Sequence, residues 1–498
     1  MKAYLLYIDK DFEWSRKLTV FEEEYIRDLG LETLFHAMSS EDSFIDQHVK
    51  KVITLSLSDR DEIIYRQDIL RDCMANPAVI NKLWNIAASA DSKTKDYVNR
   101  SLISDYPKAI LEEAADKIRT CLESLSKIRA VMKDNRSKLQ SAGFINLSDR
   151  LIRLLPDSFF EEVSALLHEC RFRNGMLLSG QPEKGIKTKD YSVLNSLDMK
   201  SKAAGFFKKL KNEAFTFMID SNDTNSRNAL SDIEQQGVSG LANILWQACE
   251  GISGFLMTLR RELAFYKGCL NLHHTLRVFS GPVCFPVIDS SGSRTGRFTD
   301  LYDPCTVLNT RRHAVGNSVD LSECRLLIIT GANQGGKSTF LRSLGTAQIM
   351  LQCGMFVGAG EYTGSISNGV YTHFRNEEDP DMKSGKFDEE LMRLNKIIDD
   401  VKPGATIFMN EAFAATNENE GTEIAVQVTG ALLAKGIKLC FVTHFYEYAV
   451  FYYERHRAGD RFLVAERTET GERTFRMIEG EPKRTSFGMD IYKSVFKS

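Results

Sequence analysis

The segment from Leu326 to Met350 constrains the fold of this chain more than any other. An apolar run, Leu326-Leu327-Ile328-Ile329, leads into Thr330-Gly331-Ala332-Asn333-Gln334-Gly335-Gly336-Lys337-Ser338-Thr339. A helical pattern follows at once through Phe340, Leu341, Leu344, Ala347, Ile349 and Met350. Strand, Gly-x-x-x-x-Gly-Lys-Ser and helix in that order predict a phosphate-binding loop. The glycines let backbone N–H groups turn inward around phosphate oxygens, and the helix N-terminus adds its positive end. Residues 331–339 are therefore the candidate nucleoside-triphosphate site. In it Lys337 reaches the β- and γ-phosphates, and the Ser338 hydroxyl ligates Mg²⁺.

Two further strands carry polar residues at their ends. Ala405-Thr406-Ile407-Phe408-Met409 is apolar and closes on Asn410-Glu411. Glu411 is the candidate to orient or deprotonate an attacking water. Asn410 stands where a P-loop enzyme usually has a metal-side Asp, so it is a second candidate Mg²⁺ contact, by an amide oxygen without charge. Ile437-Lys438-Leu439-Cys440-Phe441-Val442 ends on Thr443-His444. Alone, such a histidine is more often a structural imidazole. Its spacing from the two earlier motifs favours a γ-phosphate sensor with a catalytic role.

Taken together, these motifs resemble the MutS family of mismatch-repair and recombination ATPases. The likeness rests on Asn333 and the doubled glycine of the loop, and on Val315-Gly316-Asn317 before it. It continues through Val370-Tyr371-Thr372-His373-Phe374, Thr416, Gly421, Gly480 and Ser486-Phe487-Gly488, and spans most of residues 280–495. The resemblance implies a homodimer in which each nucleotide meets a trans-acting serine of the other subunit. That place falls in Ser384-Gly385-Lys386-Phe387: a gapless match puts Gly385 at the serine, Ser384 one residue early, and Lys386 as an alternative cation. Ala412 to Glu418 also departs from the family's glycine- and serine-rich loop, which bears on communication across the dimer. Nucleotide binding is expected to survive these changes, with slower hydrolysis.

The expected fold class is α + α/β, a mostly helical lever and core domain followed by a P-loop NTPase domain of the MutS/ABC-like type. Residues 108–139 place Leu111, Ala115, Ile118, Leu122, Leu125, Ile128 and Met132 at helical spacing. Leu241 to His274 repeats the pattern through Leu245, Ala248, Ile252, Phe255, Leu259, Leu263, Tyr266 and Leu270. This helix reads either as a lever between distant parts or as a long bundle helix. Ser179 to Gly185 reads as a loop or hairpin. The expected divisions are an N-terminal segment of uncertain fold at 1–50, a helical core at 51–275 and the ATPase at 276–498. Phe21-Glu22-Glu23 has the pattern of the family's mismatch wedge but lies in an acid-rich helical stretch, so no mismatch-reading domain is expected.

Lysines 208, 209 and 211 form the most basic region together with Lys200 and Lys202, interleaved with Phe206, Phe207 and Phe215. Lys208, Lys209 and Lys211 are the candidate DNA contacts; a solvated helix face is the competing explanation. Net charge is −3, which excludes a uniformly basic coat protein, and ten cysteines without a Cys-x-x-Cys pair suggest reduced thiols in a cytoplasmic chain. No membrane span is expected. Two functions fit: an ATP-driven dimeric clamp on duplex or branched DNA, or the same switch gripping a protein partner without DNA.

Overall fold

In the computed structural model the described residues are 2–101, 107–172, 176–183, 187–196, 218–220, 222–279, 281–289, 294–375, 385–468 and 472–483. The chain begins with four helices, α1 (Val20–Leu29), α2 (Leu31–Ser39), α3 (Ser43–Ile53) and α4 (Arg60–Ala75). Local chemistry marks their ends. Thr19 and Glu22 form a reciprocal capping box at the start of α1, and Gly30 closes it in the left-handed region at φ 69°. Asp42 accepts from Phe44 N and Ile45 N to cap α3.

Next come α5 (Pro77–Ser101), α6 (Pro107–Asp134), α7 (Ala142–Leu154) and α8 (Asp157–Glu169), then the strands β1 (Met176–Glu183) and β2 (Lys187–Ser196). The two strands pair antiparallel as a hairpin, at the place read from Ser179 to Gly185. One helix, α9 (Thr224–Val278), has 55 residues. At 1.5 Å per residue its length is on the order of 80 Å. It begins well before the apolar stripe: the turns after Thr224 contain no proline, and the helix runs on through Gly237 and Gly240.

The remaining elements are β3 (Val287–Ile288), β4 (Gly296–Leu301), α10 (Pro304–Thr310), β5 (Asn317–Asp320), β6 (Leu326–Thr330), α11 (Lys337–Gln352), β7 (Glu361–Gly364), β8 (Val370–Phe374), α12 (Lys386–Asp400), β9 (Thr406–Asn410), α13 (Glu418–Ala434), β10 (Lys438–Val442), α14 (Tyr446–Tyr453), β11 (Asp460–Arg467) and β12 (Arg473–Glu479). A six-stranded sheet has the order β12-β11-β6-β10-β9-β8. All its pairings are parallel except β11 with β12. A four-stranded sheet has the order β3-β7-β4-β5. β6 and β8 are buried along their whole length, which suits the unbroken apolar run of β6; β8 takes the polar His373 into the same setting.

The fold divides into two units, Met1–Tyr4 with Asn76–Leu263, and Leu5–Ala75 with Ala264–Ser498. The first is held by the stripe of α6: Ala115, Ile118 and Leu122 pack with Leu167 of α8 and Cys249 of α9. Every α6 position read from the sequence stripe is buried. Arg260 forms an ion pair with Asp91 and lies over the Trp84 ring.

In the second unit α1 packs on β8 and α11, and α2 packs on α3 and α10. Phe21 meets the Tyr371 ring edge-on at 5.3 Å. Arg342 Nε of α11 donates to Asp28 O at 3.0 Å. A Cβ on Gly345 would lie 2.8 Å from Leu29, so only glycine lets α1 approach α11 this closely. Arg66 is fully buried; its Nε donates to Leu6 O at 2.6 Å and its guanidinium lies 4.8 Å from the Tyr7 ring centroid. Phe21-Glu22-Glu23 thus belongs to a capped helix against a sheet strand. Among the described residues no helix is long and apolar enough to cross a membrane.

Candidate functional site

The carboxyl ends of β6, β9 and β10, neighbours in the parallel sheet, converge on one place, where open α/β sheets bind ligands. The loop after β6 turns through positive φ at Gly331 (121°), Gln334 (59°) and Gly336 (89°). A Cβ on Gly331 would lie 2.9 Å from Ala465 N, so β11 also limits this loop to glycine. Gly336 is the N-cap of α11 and no side chain caps that helix. Its first N–H groups point toward the loop, an arrangement that suits an anion. Ala332 and Gly335 are buried, while Asn333 and Gln334 are exposed.

Lys337 and Ser338 open α11. Lys337 is buried, and its Nζ donates to Gly331 O at 2.6 Å and Ala332 O at 3.0 Å. Burial pushes its pKa down to about 8, against the opposing charge of Glu411. The ammonium is therefore held by two carbonyls that phosphate oxygens can replace. Ser338 Oγ donates to Asn410 Oδ1 at 2.9 Å. This pair brings two neutral oxygens together beside the loop, a donor set that fits a hard divalent cation. It also explains how Asn is accommodated at the end of β9. Thr339 is half-buried in the same first turn.

Glu411 follows β9 in a left-handed conformation at φ 53°, and Phe413 repeats it at 66°. Such backbone costs of order 1–3 kcal/mol at each non-glycine residue and persists only when held by its surroundings. Glu411 N donates to Val442 O at 2.9 Å. Its carboxylate accepts from His444 Nε2 at 2.9 Å. That hydrogen bond holds the Glu411 carboxyl below its ordinary pKa, against partial burial. The sequence reading puts His444 against the γ-phosphate; in the structure its ring engages Glu411.

Of the segment read as trans-acting, Ser384 and the side chain of Lys386 lie outside the described residues, and Gly385 is the exposed N-cap of α12. Lys208, Lys209 and Lys211 also lie outside them, as do Lys200, Lys202, Phe206, Phe207, Phe215 and Ser486-Phe487-Gly488. Ala412 and Phe413, at the start of the segment that departs from the family's loop, are buried in the core beside β9.

Two neighbours of the loop escape a reading of the sequence. Arg473 Nη1 donates to Gln334 Oε1 at 2.8 Å. Phe475, at φ 59° and 46 % exposed, lies beside Gly336. An aromatic at an outward position of β12 is the available signal, but nothing in the chain announces that β12 borders the loop. Asn317, noted for its motif alone, is buried and accepts from Met477 N at 2.7 Å, bracing β12.

Known proteins share much of this chain. Residues 58–279 match the model of the MutS2 N-terminal domain, and residues 327–496 match that of MutS domain V. The chain is 30% identical over 218 residues to the DNA mismatch repair protein spellchecker 1 of Drosophila melanogaster, covering 43% of this chain and 24% of that protein. It is 27% identical over 183 residues to Endonuclease MutS2 of Lactiplantibacillus plantarum, covering 36% and 23%. With Endonuclease MutS2 of Thermus thermophilus the identity is 30% over 176 residues, covering 34% and 23%. The matched stretch thus spans about a quarter of the length of these relatives.

Proposed function

The chain belongs to the MutS family, and from that premise we propose that it is an ATPase whose nucleotide state controls binding to duplex or branched DNA. The observation that carries the reading is the convergence of Lys337, the Ser338–Asn410 pair and the Glu411–His444 pair at adjacent strand ends.

Lys337 exchanges its two carbonyl partners for the β- and γ-phosphate oxygens of ATP, while the N–H groups of the loop and α11 hold the phosphate chain. Phe475 offers an aromatic face to the base. Ser338 Oγ and Asn410 Oδ1 would hold Mg²⁺, which would supply positive charge against the phosphates. Glu411 aligns the attacking water, and His444 fixes the direction of that carboxylate. Asn410 adds no charge to the metal site, so turnover is slow.

The active unit is a homodimer with nucleotide at the subunit interface, and the segment from Ser384 to Lys386 faces the partner's nucleotide. ATP binding strengthens the dimer, because a ligand held between subunits adds its binding energy to association. Lys208, Lys209 and Lys211 contact DNA phosphates. The long helix α9 carries the nucleotide state to them.

A salt series of DNA mobility shifts, with and without a non-hydrolysable ATP analogue, tests the reading. Binding should weaken with salt and change with nucleotide. Replacing Lys208, Lys209 and Lys211 together with Ala should weaken binding to all sequences alike. Each DNA phosphate left without its lysine should flatten the slope of log affinity against log salt by about 0.9. Absence of DNA binding at every salt, with ATP binding intact, would transfer the switch to a protein partner.

A further inference from the structure

Glu390 lies on α12 with its side chain 11% exposed, outside every motif of the nucleotide site. Its Oε1 accepts from Phe413 N at 2.6 Å and stands 3.5 Å from His373 Nε2. His373 is completely buried within β8, and neither ring nitrogen has a hydrogen-bond partner among the described residues. Its ring lies 6.3 Å from that of Phe413, which is in turn 6.5 Å from Phe441. Arg393 of the same helix donates to Phe374 O at 2.9 Å and fixes α12 against the end of β8. One carboxylate on a pinned helix therefore grips the backbone two residues beyond Glu411.

We propose that Glu390 is a positioning residue for ATP hydrolysis: seated against His373, it holds the Phe413 N–H and so keeps the Glu411 carboxylate aimed at the attacking water. The physical need comes from the turn itself. Glu411 and Phe413 both occupy left-handed backbone that neither residue type favours. Glu411 N is tied to Val442 O on one side. Without Glu390 the other side loses its polar anchor, and a buried N–H is left without an acceptor. The turn then relaxes toward ordinary φ, and the Glu411 side chain leaves the His444 ring. ATP binding is untouched, because Lys337 and the loop after β6 lie on other elements. The inference rests on the assignment of Glu411 to the water.

The test compares Glu390→Ala, Glu390→Gln and Glu411→Gln in the full chain. The readouts are kcat and KM for ATP-Mg²⁺, affinity for a fluorescent ATP analogue, and thermal midpoint. Glu390→Ala should lower kcat on the order of 10- to 100-fold, as expected for a misplaced reacting group, while analogue affinity stays within about twofold. Glu390→Gln keeps an amide oxygen for Phe413 N and should recover most of kcat. Should the alanine variant not fold, Glu390→Asp carries the test: the withdrawn carboxylate should lower kcat severalfold with affinity unchanged. Wild-type kcat in Glu390→Ala, or in Glu390→Asp where that variant carries the test, overturns the proposal. So does a parallel loss of kcat and affinity. Glu411→Gln separates the two layers: if it is slow while Glu390→Ala is fast, only the role of Glu390 is lost. If Glu411→Gln turns over at the wild-type rate, the assignment of Glu411 itself is wrong.

Discussion

Two turns build the site, one after β6 and one after β9, and they are kept in place by different means. The first makes two of its left-handed steps at Gly331 and Gly336, where that conformation carries no Cβ penalty. Its key side chain, Lys337, bonds to carbonyls of the same loop. The second makes its left-handed steps at Glu411 and Phe413, and its supports come from elsewhere: Val442, Glu390 and His444. A loop whose central cation is held by its own carbonyls should keep binding when its surroundings change. A turn held by other elements can be adjusted by them, so under the proposed function binding and turnover should respond separately to mutation.

The largest effect that would sharpen this contrast is in binding alone. Lys337→Ala removes the buried cation from the self-contained loop. Nucleotide affinity measured by calorimetry should fall about 100-fold or more, the equivalent of two charged hydrogen bonds. An affinity within a few fold of wild type would break the comparison at its first term.

A smaller effect should appear on the metal side, where the two turns meet. Asn410→Asp restores a charge next to Ser338 Oγ. The Mg²⁺ concentration for half-maximal turnover should drop roughly 3- to 10-fold, as carboxylate count tunes divalent affinity. An unchanged requirement would show that Asn410 does not limit the metal.

The smallest effect concerns protons. The buried Lys337 ammonium has its pKa lowered to about 8 in the nucleotide-free protein. Phosphates favour the charged form, so its pKa rises on binding. Affinity should then be insensitive to pH below about 8 and weaken above it, by at most tenfold per pH unit. Calorimetry at pH ~8.5 in buffers of different ionisation enthalpy should register proton uptake on binding. No uptake would mean that the lysine is already charged in its carbonyl cradle.

The same contrast explains what could be read from the chain. The strand, glycines, Lys337 and Ser338 are contiguous, and their spacing carries the geometry. The α6 stripe and the hairpin after Met176 are legible for the same reason, since periodicity and turn composition are local. Glu390 and His373 are not, because their meeting requires α12 to fold back on β8, and neither residue has a neighbour in sequence that signals it. The hydrogen bond of His444 to Glu411 is not legible either, because it depends on the left-handed turn at Glu411. The docking of α1 on α11 is invisible too: it depends on Leu29 fitting over Gly345 and on Phe21 reaching Tyr371.

That docking has a consequence for how the protein is made. Asp28 waits for Arg342, 314 positions later, and Arg66 for the Cys353 carbonyl, 287 positions later. At ~5–20 residues per second a ribosome needs roughly 15–60 s to cover the longer of these gaps. During that time Leu29, Leu34, Phe35 and Met38, all buried in the finished protein, emerge without the later elements of their unit, among them Gly268 beside Met38 and Gly345 beside Leu29. Four short amphipathic helices with bare apolar faces are what a chaperone holds. Conditions that slow translation or deplete chaperones should therefore lower the yield of folded protein, although every group of the candidate nucleotide site is still correctly encoded.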